Sequence, residues 1–248
     1  MCTIALAINA HPEYKLIVIS NRDEFYDRPT KEAHLWPPAN QIIGGKDLKE
    51  GGMWLGINKL NRFAALTNYR EPQALTQERP SRGSIVLNYL NEETNIIHYL
   101  EKLEKNAHIY HGFNLLAGTF DTIYYYSNRY NKTIKLSTGI HAVSNGLLNN
   151  QWFKVQKVKN DLTSLISTNT FSIENALNIL YSNTQAPDNL LPDTGFGFEK
   201  EKLLSSVFID SPGYGTTIST IIYVTNNNKI NFYEYTHKPK SKYVAFEQ

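Results

Sequence analysis

The stretch CTIALAINAHPEYKLIVISNRDE, residues 2–24, holds two apolar runs and a charged stop. Thr3–Asn9 and Lys15–Ser20 are rich in Ile, Val, Leu and Ala, and His11-Pro12-Glu13 between them carries loop chemistry. Together they predict a β-hairpin. Cys2 stands at the head of the first run and Asn21-Arg22-Asp23-Glu24 closes the second. Antiparallel pairing sets the start of one strand beside the end of the next, so these charges are expected near the Cys2 thiol.

Outward from this hairpin, Leu35 to Glu50 carries Pro37-Pro38 and Gly44-Gly45 and reads as an irregular loop. Trp54–Asn58 and Phe63–Asn68 predict a second hairpin, turned at Lys59–Asn61. Arg70 to Arg82 is polar and broken by prolines, which suggests a flap. Ser84–Leu90 and Glu93–Leu103 read as helices, followed by strands at Phe113–Gly118, Thr122–Ser127, Thr133–Leu136 and His141–Asn145. In Gln151–Ile166, Trp152, Val155, Val158, Leu162, Leu165 and Ile166 recur at helical spacing. Ser172 is a natural N-cap for a helix reaching about Tyr181. A last hairpin, Ile218–Thr225 and Lys229–Thr236, turns on three asparagines, Asn226 to Asn228. Strands, two helices, strands, two helices, strands is the order of an α+β fold rather than an alternating parallel one. Two antiparallel sheets, each covered by a helix pair, would satisfy every apolar face. Without a repeat or linker, the 248 residues read as a single domain, 1–248.

Composition narrows the function classes. With 25 basic and 23 acidic residues spread along the chain there is no clustered basic stripe of the kind nucleic acid selects. The most basic stretch, His237 to Lys242, reads as a solvated strand end. No run approaches the apolar length of a membrane span. Thr3 to Ile8 lacks the basic flank and length of a signal peptide. One cysteine allows no intramolecular disulfide, which suits a reducing compartment, so a cytoplasmic protein is expected. The seven histidines form no zinc-type set, and no metal site is expected. No G-x-S-x-G nucleophile elbow occurs.

Cys2 has two readings. Cysteine is small enough for an aminopeptidase to remove Met1, which would leave a thiol and a free α-amine on one residue. Their ordinary pKa values, about 8.5 and about 7.7–8.0, let the amine serve as base for its own side chain. Alternatively Cys2 is a small apolar residue at a strand start. Arg22 could lower the thiol pKa and Asp23 could hold Arg22 or the α-ammonium, or both belong to an ion-pair network at a strand end. Asn68 and Asn145 each close an apolar strand, where an amide could stabilise an oxyanion or simply make a turn. Gly51 to Gly56 would admit a ligand close to the backbone but does not open a helix, so it is no phosphate loop.

Taken together, Met1-Cys2-Thr3, Asn21-Arg22-Asp23-Glu24-Phe25, Arg28-Pro29, Gly51-Gly52-Met53-Trp54-Leu55-Gly56, Ala65 to Arg70, Gly112-Phe113-Asn114-Leu115, Ser144-Asn145 and Pro212 to Thr216 resemble, in order along nearly the whole chain, the NRDE-rich transport-and-Golgi-organisation-2 family. That family is similar to the choloylglycine and penicillin V acylase group of N-terminal-nucleophile (Ntn) hydrolases. The resemblance implies a four-layer αββα sandwich of Ntn-hydrolase type. It also implies Cys2 as nucleophile, assisted by Arg22 and Asp23, with Asn68 and Asn145 at the oxyanion. The family's arginine after Tyr-Gly-Thr is Thr217 here, which removes a cation and favours binding over hydrolysis. The resemblance further implies an intracellular carrier of haem or another amphipathic ligand, and 16 Tyr, 11 Phe and 3 Trp could line a suitable pocket. The alternative is a cysteine hydrolase of carbon–nitrogen amide bonds, which needs no cofactor.

Overall fold

A computed structural model describes residues 2–37, 41–71, 79–238 and 241–247. The chain divides into two compact units. The first holds the described residues within 1–27, 70–72 and 137–248, and the second those within 28–69 and 73–136. Each has its own antiparallel sheet and helix pair.

In the first unit the sheet runs β10 (Gly139–Val143), β1 (Cys2–Ile8), β2 (Tyr14–Phe25), β12 (Tyr214–Thr225), β13 (Ile230–Thr236), β14 (Lys242–Glu247), with the short β11 (Asp210–Ser211) paired to β12. The hairpin predicted from residues 2–24 is present, and β2 runs past Ser20 to take in the whole charged motif. All seven residues of β1 are buried, which is why the strand reads as a continuous apolar run instead of alternating. Helices α3 (Phe153–Ser167) and α4 (Ile173–Leu180) supply Val155, Val158, Leu162, Ala176 and Ile179 to a core with Ala5, Ala7, Ile17, Ile19 and Ile221. Ser172 caps α4 as predicted, its hydroxyl accepting from Asn175 N at 3.1 Å.

In the second unit the sheet runs β3 (Thr30–Trp36), β4 (Ile42–Asp47), β5 (Leu55–Asn58), β6 (Arg62–Asn68), β7 (Phe113–Thr119), β8 (Thr122–Ser127), β9 (Lys132–Lys135). Helices α1 (Gly83–Asn91) and α2 (Ile96–Asn106) pack Ile85, Leu90, Leu100 and Leu103 against Leu66, Phe113 and Leu115.

Two expectations are corrected. Leu35 to Glu50 is not an irregular loop, because most of its described residues lie in the β3–β4 hairpin. Its glycines answer packing rather than turns: a Cβ on Gly44 would stand 2.6 Å from Leu55 O, and one on Gly45 would stand 2.2 Å from the Trp54 ring. His237 to Lys242 is not simply solvated. His237 is half-buried, donates its backbone N–H to Thr217 O at 2.8 Å and packs its ring against Tyr181 and Phe208, and β14 starts at Lys242. Of the expected flap, 72–78 lie outside the described residues, while Arg70 is buried.

Candidate active site

Strand geometry sorts the NRDE motif. Successive side chains on a strand point to opposite faces, so Asn21 and Asp23 share the face of Ile17 and Ile19, which the helices cover. Arg22 points the other way and stands directly across from Cys2 in the β1–β2 register. Directly opposed residues have side chains on the same face, so Arg22 and Cys2 are neighbours there.

Asn21 is structural. Its Nδ2 donates to Leu180 O at 2.7 Å and to Val207 O at 2.9 Å, and its Oδ1 accepts from Ser219 Oγ at 2.6 Å. It ties the end of α4 to the sheet. Arg22 donates from Nη1 to Thr217 Oγ1 at 3.2 Å and lies 3.9 Å from Glu24. Thr217 falls in a β-bulge, since Thr216 pairs with Asp23 while Ile218 pairs with Arg22. Consecutive strand residues face opposite ways, so the two threonines serve the two faces. Thr216 Oγ1 donates to Asp23 Oδ1 at 2.7 Å, and Thr217 meets Arg22.

Asp23 is fully buried, and its Oδ2 lies 4.0 Å from Lys154 Nζ in the first turn of α3. Burial pushes the Asp23 carboxyl up and the Lys154 amine down to about 8, while each charge holds the other toward ionisation. Burial likewise raises the Cys2 thiol and lowers Arg70. Arg70 pairs through Nη1 with Glu201 of α5 (Phe198–Leu203), a wholly buried ion pair. Its guanidinium lies 4.8 Å from the Trp152 ring centre, and its backbone N–H donates to Asn145 O at 2.7 Å.

Asn145, just beyond β10, is buried. Ser144 joins it to the nucleophile strand: Ser144 Oγ lies 2.9 Å from Cys2 O and 3.3 Å from Asn145 Oδ1. Thus Cys2, Arg22, Asp23 and Asn145 come together at one end of the first unit's sheet. Asn68 closes β6 in the second unit, half-buried and in register with Phe113.

The sequence reading missed Lys154, Arg70 and Glu201. Lys154 had a signal: it stands four and eight residues before Val158 and Leu162, a lysine on an apolar stripe. Arg70 ended a recognised motif but was assigned to the flap. Glu201 sits on a six-residue helix without apolar periodicity. No group of His, Cys, Asp and Glu able to hold a metal ion occurs among the described residues, and no described helix is long and apolar enough to cross a membrane.

The family profile described as Transport and Golgi organisation 2 matches residues 1–239. The chain belongs to this family. A human Transport and Golgi organization protein 2 homolog (Homo sapiens) is 36% identical over 255 residues, covering 94% of this chain and 92% of the relative. The Drosophila melanogaster Transport and Golgi organization protein 2 is 28% identical over 273 residues, covering 95% and 92%. Among solved structures, penicillin V acylase from Agrobacterium tumefaciens has a TM-score of 0.54 at 10% identity, covering 100% of this chain and 86% of its own. The mutant C2A conjugated bile acid hydrolase from Clostridium perfringens has a TM-score of 0.56 at 9% identity, covering 100% and 92%. This member of the Transport and Golgi organisation 2 family therefore has the α+β, Ntn-hydrolase-type fold expected from its motifs.

Proposed function

We propose that the chain is an N-terminal-nucleophile hydrolase that cleaves carbon–nitrogen amide bonds with Cys2. The observation that carries this reading is the placement of Cys2. It opens a central strand, faces Arg22 in register, and is tied by Ser144 to Asn145, beside a buried Asp23–Lys154 pair. Buried charges of this density work against folding, and titratable groups shifted by burial at the end of one strand pair mark a functional site. The likeness to penicillin V acylase and conjugated bile acid hydrolase agrees in chemical class.

In the proposed reaction Met1 is first removed. The Cys2 α-amine takes the thiol proton, and sulfur attacks the amide carbon. The oxyanion is held by donors that include the Asn145 amide. The C–N bond breaks as the leaving amine takes the proton back. Water then hydrolyses the thioester, releasing a carboxylic acid and restoring the thiol. Burial leaves the thiol pKa raised; the α-amine and, less strongly, Arg22 pull it back toward the thiolate. Asp23 and Lys154 are positioning residues on the opposite face.

A second reading is carriage of an amphipathic ligand without turnover. It is favoured by the raised Cys2 pKa and by the Trp152 and Phe196 rings beside Arg70. Haem is one such ligand, and its iron takes an axial His, Met, Tyr or Cys thiolate. Burial pushes Cys2 and Tyr214 toward their protonated forms, which disfavours either as a thiolate or phenolate ligand to a haem iron.

Amine release from a panel of N-acyl amides, with wild type and Cys2→Ala side by side, separates the readings. Turnover that falls by about 10³-fold or more in Cys2→Ala supports hydrolysis. Saturable uptake of haem or a fatty acyl compound that survives Cys2→Ala, without Cys2-dependent turnover, overturns it in favour of carriage.

A further inference from the structure

Lys154 holds an amine in the first turn of α3 with 1% of its side chain exposed, and Asp23 beside it is fully buried. The Lys154 Nζ–Asp23 Oδ2 distance of 4.0 Å lies outside hydrogen-bond range. Asp23 Oδ1 accepts from Thr216 Oγ1 at 2.7 Å. Lys154 therefore acts on Asp23 as a charge rather than as a donor. The recess that Lys154 lines has room for about one water, a neutral acceptor for the amine.

The β1–β2 register pairs Cys2 with Arg22, so Asp23, one residue further, faces the end of β1 where the Cys2 nitrogen lies. Lys154 is the strongest of the charges that hold Asp23 ionised, ahead of the chain's amino terminus and Arg70. Arg70 is paired with Glu201 of α5, whereas the carboxylate that acts on Lys154 is Asp23. Cys2 on β1 also faces Lys154, and Tyr214 on β12 faces Asp23.

The proposed reaction makes a demand on this carboxylate. The Cys2 α-amine gains the thiol proton and later gives it up. As an ammonium it helps to balance Asp23, and once neutral it does not. A buried carboxylate left without a cation takes up a proton, which would compete with the transfer between thiol, amine and leaving group. We propose that Lys154 is a positioning residue that acts through Asp23: its fixed charge keeps the carboxylate ionised while the Cys2 α-amine is neutral and ready to act as base. The catalytic consequence rests on the hydrolase reading, while the coupling between Lys154 and the amine exists without turnover.

The coupling is read first in chains carrying Cys2→Ala, which keep an α-amine on residue 2 once Met1 is removed. Nuclear magnetic resonance follows the labelled α-nitrogen and the Asp23 carboxyl carbon across pH. Lys154→Met removes a nearby cation and should raise the proton affinity of the amine–carboxylate pair by about tenfold or more. Lys154→Arg should leave it within about threefold. With Cys2 restored, the acid limb of kcat/KM for N-acyl amide hydrolysis should move to higher pH by the same factor in Lys154→Met and stay in place in Lys154→Arg. A lysine that only braces the fold would lower the rate without moving that limb. If Lys154→Met does not fold, carbamylating the α-amine of the Cys2→Ala chain gives the reciprocal reading: loss of the amine's charge should raise the proton affinity of Lys154 Nζ. An amine titration unchanged by Lys154→Met, or a lysine titration unchanged by carbamylation, overturns the proposal. Cys2-dependent turnover together with an amine that ignores Lys154 sinks the positioning role and spares the hydrolase. An amine that responds to Lys154 in a chain without turnover does the reverse.

Discussion

In the second unit Asn58 and Asn114 are buried, and each spends its amide on the fold. Asn58 donates to Leu90 O at 2.7 Å and accepts from Leu60 and Arg62 backbone N–H groups. Asn114 donates to Thr67 Oγ1 at 3.0 Å and accepts from Tyr125 OH at 2.7 Å. In the first unit Arg70 and Lys154 are buried as deeply, yet three of their donors have no acceptor among the described residues. Burial alone does not mark a functional group. A polar side chain that closes its own hydrogen bonds is part of the scaffold. One held rigidly with donors left over needs a further acceptor, an ordered water or a ligand.

This contrast can be broken by substitution. The largest expected effect is on chemistry at the first unit: Cys2→Ala removes amide turnover by about 10³-fold or more, while thermal unfolding shows a stability change within about 1 kcal/mol. A large loss of stability with Cys2→Ala would return the residue to its structural reading. Next comes the opposite pattern in the second unit. Asn114→Ala removes its buried hydrogen bonds to Tyr125 and Thr67 and should cost about 1–3 kcal/mol in denaturant unfolding, with Cys2-dependent turnover at saturating substrate unchanged. Altered turnover there would erase the distinction between the units.

A pH titration sharpens the difference further. The folded-state pKa of Lys154 is lowered to about 8, below its ordinary value of about 10.4. Between those values the unfolded chain binds the extra proton, so this lysine's contribution raises stability as pH climbs from about 8 toward about 10.4. Below about 8 the charge is carried in both states and its burial penalty is fully present. Asp23, Arg70 and Cys2 face the same amine and shift with it. Lys154→Met should flatten the rise in denaturant midpoint over this window, and an unchanged rise would assign it to other groups. The smallest effect expected is Glu24→Gln. It weakens the 3.9 Å contact to Arg22 at the partly exposed strand end, keeps an oxygen for the Phe25 N–H that donates to Glu24 Oε1 at 2.9 Å, and should change stability by less than about 0.5 kcal/mol.

Much of the scaffold was legible from the sequence because apolar periodicity reports it. The β1–β2 hairpin, the helix over Val155 to Leu162 and the Ser172 cap all followed from spacing and capping chemistry. The β3–β4 hairpin was not legible, because Gly44 and Gly45 look like turn residues when they are in fact clearance for Leu55 and the Trp54 ring. At the site, Cys2, Arg22, Asp23 and Asn145 were named in advance. Pairing of neighbouring strands and Ser144 bring them together. Arg70, Lys154 and Glu201 escaped because their meeting depends on tertiary packing between distant segments. A lone lysine on an apolar stripe was the only local trace.

The most direct measurement is intact mass during turnover. The chain is prepared with Met1 removed, mixed with an N-acyl amide, quenched early in the reaction and mapped by peptide mass. Hydrolysis by Cys2 predicts an acyl adduct on residue 2 that appears before steady state, decays with substrate exhaustion and is missing in Cys2→Ala. Amine release without any adduct on residue 2, or an equal rate in Cys2→Ala, would contradict it.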